Sequence, residues 1–235
     1  MSDAAPERLM RADPIGLRAP EVIRILGETY PDATIALRFS NPLELLVATI
    51  LSAQCTDVKV NEVTAALFQK YRTAEDYLAV ADDELKADIK PTGFFNQKAL
   101  SIREACRRIV EVYDGKVPDT MQELTTLRGV ARKTANIVLA NAYGTVVGIP
   151  VDTHVKRLAN RIGFSAHHDP DKIEQDLMRL IPKEHWFDFS YVLIDHGRAI
   201  CQAKAPKCAE CPLENICHAA DKTWSTVEMH KTAQP

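Results

Sequence analysis

The sequence predicts an all-α chain, and three observations carry that prediction. Glycine is scarce, 9 in 235 residues, and Gly93, Gly115 and Gly163 stand where helical patterns end, as expected of residues that close helices. Apolar residues recur at helical spacing: Ala135, Val138, Leu139 and Ala142 form an i, i+3, i+4, i+7 stripe. Start signals precede such runs, and Asn41-Pro42 pairs a capping side chain with a proline in the first turn. With 46% hydrophobic residues the chain can bury a sizeable core.

In chain order, residues 1–19 are polar and broken by Pro6 and Pro14, which predicts a loose arm. Pro20–Tyr30 predicts an amphipathic helix stopped by Pro31. From Asn41-Pro42 a helix runs to about Ala53, and the uncharged stretch Leu45–Thr56 predicts its complete burial. Further helices are expected at about 57–71, 73–80, 82–88, 96–113, 119–126, 132–143, 152–162, 170–181 and 183–198, with a flexible tail over 219–235. Cys55 and Cys106 fall in apolar helical stretches and are expected in the core. The longest uncharged run, Thr134–Val151, contains Asn136, Asn141, Gly144, Gly148 and Pro150. It is a helix plus a loop and excludes a membrane span.

The net charge of −3 excludes a surface coated with basic residues. Its distribution is uneven. Residues 92–161 carry 11 basic and 6 acidic side chains, against 10 and 15 in 1–91 and 8 and 11 in 162–235. A local positive field of this kind attracts phosphate, although a solvated basic face is the alternative.

Four cysteines close the chain within seventeen residues: Cys201-x6-Cys208-x2-Cys211-x5-Cys217. Met1-Ser2-Asp3 opens no secretory signal, so a reducing cytosol is expected, where thiols bind metal rather than pair as disulfides. Pro206 and Pro212 shape the stretch as a knuckle rather than a core helix. Zinc sites usually pair two short C-x-x-C hooks. Only one is present, so the spacing favours a [4Fe–4S] cluster over zinc.

Upstream, Leu127-Arg-Gly-Val-Ala131 predicts a short turn between two helices. The N–H groups that open the second helix can bind a phosphate without reading a base. Lys133 falls in its first turn, where the positive helix end and neighbouring Arg132 favour the uncharged, nucleophilic amine. Asp152 precedes a helix that ends at Gly163 and is a strong N-cap, a position that also holds a carboxylate rigidly. The eleven residues 133–143 advance about 15 Å as helix. The nine steps to Asp152 can span about 30 Å, so the aspartate can return toward the lysine.

These four pieces, with Leu51-Ser-Ala-Gln54-Cys-Thr-Asp57, resemble the endonuclease III family of helix-hairpin-helix DNA glycosylases and AP lyases with an iron–sulfur cluster. The resemblance runs over residues 20–218 or so. It implies two helical lobes with a DNA-binding cleft between them: 36–147 with the hairpin, and 148–218 with the cluster, against which the N-terminal segment 1–35 packs. It implies a [4Fe–4S] cofactor on Cys201, Cys208, Cys211 and Cys217. The partner is double-stranded DNA with damaged bases or abasic sites, bound by a cytoplasmic monomer that works at the nucleoid.

The resemblance also assigns roles. The Lys133 amine attacks the sugar C1′ of a flipped-out nucleotide, Asp152 assists, and β-elimination then cuts the strand. The family's adenine and thymine-mismatch branches lack this lysine, so oxidised pyrimidines are the implied substrates. Gln54 matches the residue that fills the gap left by flipping. Phe94 lies in a second wedge loop with Asn96, where an aliphatic residue is more usual. Gly129, Val130, Ala131 and Arg132 form the phosphate-binding turn. His154, Lys204 and Lys207 are further DNA-contact candidates. Phe94 and Phe95 could instead be core aromatics. Two departures stand out. Arg128 replaces a proline, and Ala131 replaces the hairpin's second glycine. Ala131 is expected at negative, helical φ in the first turn of the second helix. The competing function is a non-catalytic DNA-binding protein with a structural metal cluster, which has no need of the Lys133–Asp152 pair.

Overall fold

The computed structural model describes residues 9–222, and every regular element among them is helical, as the sequence predicts. In chain order the α-helices are α1 (Ile15–Thr29), α2 (Pro42–Leu51), α3 (Asp57–Lys70), α4 (Ala74–Ala79), α5 (Asp82–Ile89), α6 (Phe95–Tyr113), α7 (Met121–Leu124), α8 (Arg132–Tyr143), α9 (Thr153–Ile162), α10 (Pro170–Leu180) and α11 (Phe189–Ala199). Three 3₁₀ turns cover Lys90–Thr92, Lys183–His185 and Cys208–Glu210. No helix among the described residues is long and apolar enough to cross a membrane.

The chain forms two units. One is Ile35–Val147, and the other joins the chain up to Thr34 with the chain from Gly148 onward. The first is built on α2. Asn41 Oδ1 accepts from the Glu44 N–H at 2.9 Å and starts the helix, and Leu45 to Leu51 are all buried. Helix α2 packs on α3, α6 and α8. The α6 stripe Ala99, Ile102, Ala105, Cys106 and Ile109 joins the same core. In the second unit Ala19, Val22 and Leu26 of α1 and Val155, Leu158 and Ile162 of α9 share a core with Phe189 and Leu193 of α11.

Four expectations shift. Helix α1 begins at Ile15 and runs through Pro20. The amide that proline lacks would have served the Gly16 carbonyl, and both residues are exposed, so water can serve it instead. Helix α7 is only four residues: the Thr120 hydroxyl caps its start by accepting from Glu123 N–H, and past Leu124 the chain tightens into turns in which Thr126 N–H donates to the Glu123 carbonyl and Leu127 N–H to the Leu124 carbonyl. The continuous helix expected over 183–198 is a 3₁₀ turn followed by α11. The Trp186 indole donates to the Ile181 carbonyl at 2.8 Å and folds the chain back between them. Cys106 is buried in α6 as expected, but Cys55 sits half-buried in the turn after α2 rather than in a helix. The part of the expected tail over 223–235 lies outside the described residues.

Candidate functional site

Past α11, Cys201, Cys208, Cys211 and Cys217 line one cavity with Arg161, His196, Pro206 and Leu213. None forms a disulfide. Buried Leu213 and Ile216 fasten this segment to the second core. Polar groups hold the rest. The buried Arg18 guanidinium donates to the Ile216 carbonyl at 2.7 Å and the Ile162 carbonyl at 2.9 Å. Arg157 donates to the Cys201 carbonyl, and Arg161 donates to the Gln202 carbonyl and lies 3.4 Å from Cys201 Sγ.

Burial pushes the Cys211 thiol up to about 12 and also raises Cys217. These sulfurs therefore ionise only beside a compensating cation. His196 Nε2 is 3.5 Å from Cys211 Sγ, and its Nδ1 is 3.0 Å from the Tyr30 hydroxyl. Burial lowers His196 to about 4, so the imidazole is neutral at pH 7. With the Tyr30 hydroxyl donating to Nδ1, the Nε2–H faces the cysteine sulfur. Sequence reasoning missed Arg18, Tyr30, Arg157, Arg161 and His196. The i, i+4 spacing of Arg157 and Arg161 was the one available signal.

In the other unit the hairpin joins α7 to α8. Buried Leu127 and Val130 anchor it to the first core, and Val130 N–H donates to the Leu127 carbonyl at 3.1 Å. Gly129 between them has φ +82°, and a Cβ there would stand 2.9 Å from Ser101 Cβ. Only glycine fits. Ala131 has the expected negative φ but is not in the helix. It is the N-cap, with φ −87° and ψ 172°. Its carbonyl accepts the first helical bond, from Ala135 N–H at 3.0 Å, while its own backbone stays extended. Alanine is unstrained there, and it offers the opening amides of α8 no side-chain acceptor. Lys133 is exposed in that first turn, and Arg132 beside it is half-buried.

Asp152 is the N-cap of α9, accepting from Val155 N–H at 2.8 Å. His154 Nδ1 lies 3.2 Å from Arg157 Nη2, and its ring lies against α11. The contact is close because residue 197 is glycine: a Cβ there would be 2.9 Å from both His154 Nδ1 and Arg157 Nη2. Lys204 and Lys207 are exposed in the loop between the first two cysteines.

Gln54 is exposed in the turn after α2 with φ +52°, and Phe94, 62% exposed, caps α6 with φ +48°. Asn96 is exposed as the second residue of that helix, whereas Phe95 packs against the first core. The two adjacent aromatics thus divide: Phe95 is the core residue and Phe94 faces solvent.

Residues 47–183 match the HhH-GPD superfamily base excision DNA repair proteins. The chain is 55% identical over 204 residues to endonuclease III of Synechocystis sp., covering 86% of this chain and 93% of the relative. It is 48% identical over 198 residues to endonuclease III of Bacillus subtilis, covering 84% and 90%. Its fold superposes with a TM-score of 0.83 on a trapped endonuclease III–DNA covalent intermediate of 43% identity, covering 86% of this chain and 95% of that one. With the hairpin glycine, the cysteine quartet and a family match over more than half its length, the chain belongs to the endonuclease III family of the HhH-GPD superfamily of base excision DNA repair proteins.

Proposed function

We propose that this chain is a bifunctional DNA glycosylase and AP lyase of base excision repair that removes oxidised pyrimidines. The observation that carries the reading is the exposed Lys133 amine in the first turn of a helix with no side-chain cap, directly after the Gly129 turn. A similar protein has been caught covalently joined to DNA, the outcome expected of an amine nucleophile. The opening amides of α8 hold a backbone phosphate, with Gly129, Val130, Ala131 and Arg132 as the contact surface. Lys133 Nζ attacks C1′ of the extruded nucleotide and the base departs with its bonding electrons and a proton. Loss of the amine's proton and opening of the sugar leave a Schiff base. Removal of a C2′ proton then expels the 3′ phosphate. Asp152, fixed by its capping bond, takes the amine's proton and stabilises positive charge on the sugar. Gln54 and Phe94 fill the space left in the stack, and Asn96, His154, Lys204 and Lys207 add DNA contacts.

Cys201, Cys208, Cys211 and Cys217 hold a [4Fe–4S] cluster, as is general in this family. The donor set fits. All four thiols line one cavity. They offer a single C-x-x-C hook where zinc sites usually pair two, which suits a polynuclear cluster better than one tetrahedral zinc. The cluster supplies the positive charge that the buried thiolates need. The enzyme works as a cytoplasmic monomer on chromosomal DNA.

Borohydride trapping on duplexes with defined lesions tests the reading. Adducts are expected with oxidised pyrimidines and abasic sites and not with undamaged duplex. No adduct with any lesion would leave the non-catalytic alternative. In the same assay Asp152→Asn should slow base release by about a hundredfold or more with melting unchanged, because asparagine also caps well.

Ala131→Asp should stabilise α8 by about 1 kcal/mol as an N-cap yet weaken DNA binding, because its carboxylate takes the amides that hold phosphate. Ala131→Gly should leave affinity within a few-fold. Tighter binding by Ala131→Asp would move the phosphate site away from α8.

A further inference from the structure

Lys98 is buried, only 4% exposed, and its ammonium reaches two backbone carbonyls from different parts of the first unit. Nζ donates to the Leu51 carbonyl at 2.8 Å and to the Thr92 carbonyl at 2.7 Å. Leu51 ends α2 and leads three residues later to Gln54, and Thr92 ends a 3₁₀ turn and leads two residues later to Phe94. The Lys98 amide also donates to the Phe94 carbonyl at 3.1 Å. One residue therefore ties both exposed turns.

Those turns share a second feature. Gln54 and Phe94 are two of the three non-glycine residues with positive φ among the described residues. The left-handed region disfavours L-residues and persists only where surrounding structure enforces it. Lys98 braces the backbone leading into both turns at a cost to itself, since burial lowers its pKa from the ordinary lysine value and carbonyl dipoles replace its water. A buried lysine with no role beyond stability is poorly chosen, because an apolar side chain fills such a site more cheaply. Two carbonyl acceptors fixed at one point define a distance, which an apolar residue cannot do.

We propose that Lys98 is a positioning residue that sets the spacing between the Gln54 and Phe94 turns, so that both side chains enter the DNA stack together when a nucleotide is extruded. The proposal rests on the reading of Gln54 and Phe94 as gap-filling wedges.

The test is the ratio of lesion processing on duplex DNA to cleavage of a single-stranded abasic oligonucleotide, where nothing needs extruding. A fluorescent base analogue beside the lesion reports extrusion directly. Lys98→Met keeps the apolar stem and removes the donors. It should lower the ratio at least tenfold and slow the fluorescence change by a similar factor, whereas Lys98→Arg, which keeps charge and donors, should restore part of it. In a Gln54→Ala/Phe94→Ala background, Lys98→Met should lower the ratio no further. If Lys98→Met cannot be obtained folded, Lys98→Arg alone carries the test, because its larger head group must displace the two carbonyls and reduce the ratio. An unchanged ratio in the folded variant, or an equal further loss without the wedges, overturns the proposal for Lys98. If Gln54→Ala and Phe94→Ala themselves leave the ratio unchanged, the wedge reading has failed instead.

Discussion

Lys133→Ala should abolish the borohydride-trapped adduct and lower strand cleavage by about four orders of magnitude or more, the scale on which a covalent nucleophile is lost. The fold should survive. Lys133 is exposed and contributes nothing to the core around Ala135, Val138 and Leu139, and alanine is the better helix former. DNA affinity should also largely survive, because the proposed phosphate contact is made by backbone amides that the substitution leaves in place. These two retained properties make the experiment discriminating. A variant that melts like the parent, binds damaged duplex within a few-fold of it and forms no adduct has lost chemistry alone. Lys133→Arg should be equally inactive, since guanidinium stays protonated and cannot attack. An adduct formed by Lys133→Ala at the parental rate would identify another amine as the nucleophile and remove the central assignment.

The helices were legible where their signals are local. Asn41-Pro42 announces α2, and the stripe from Ala135 to Ala142 announces α8 to the residue. What escaped depends on distant contacts. The break before α11 follows from an indole reaching back to Ile181, and the passage of α1 through Pro20 depends on which carbonyl faces water. The candidate site divides in the same way. Four cysteines within seventeen residues are visible as a ligand set because all of them are close in sequence. The partners of that set are not. His196 and Tyr30 meet across 166 positions, and Arg18 reaches Ile216 across 198. Likewise, nothing local marks Gln54 or Phe94 for positive φ. Nor does hydropathy, which assigns Lys98 to the surface, show that its ammonium holds the Leu51 and Thr92 carbonyls ahead of both turns.

Cys211→Ser should remove most of the iron, bleach the yellow-brown colour and lower the melting temperature of the unit that carries it by about 10 °C or more. The parent should hold about four irons per chain if the quartet carries a [4Fe–4S] cluster. A large effect is expected because ligation is coupled to folding: free energy of metal binding is free energy of folding wherever the site forms only in the native state. The cysteine segment contains one 3₁₀ turn and no longer helix. Leu213 and Ile216 are its main anchors in the second core. When it detaches, Arg18 loses the Ile216 carbonyl, one of its two deeply buried acceptors, and a buried donor left short of an acceptor is costly. Damage should therefore spread to α1, which carries Arg18, and to α9, whose Arg157 and Arg161 hold the Cys201 end of the loop. The first unit has its own core and should keep its protection against hydrogen exchange, including the hairpin around Gly129. Cys106 provides a control within that unit. Burial pushes its thiol up to about 12, so it should resist alkylation in the parent and in Cys211→Ser alike. Stoichiometric zinc without iron in protein prepared without oxidative damage would replace the cluster with a single ion. Parental iron content and melting in Cys211→Ser would show that this sulfur is not a ligand at all.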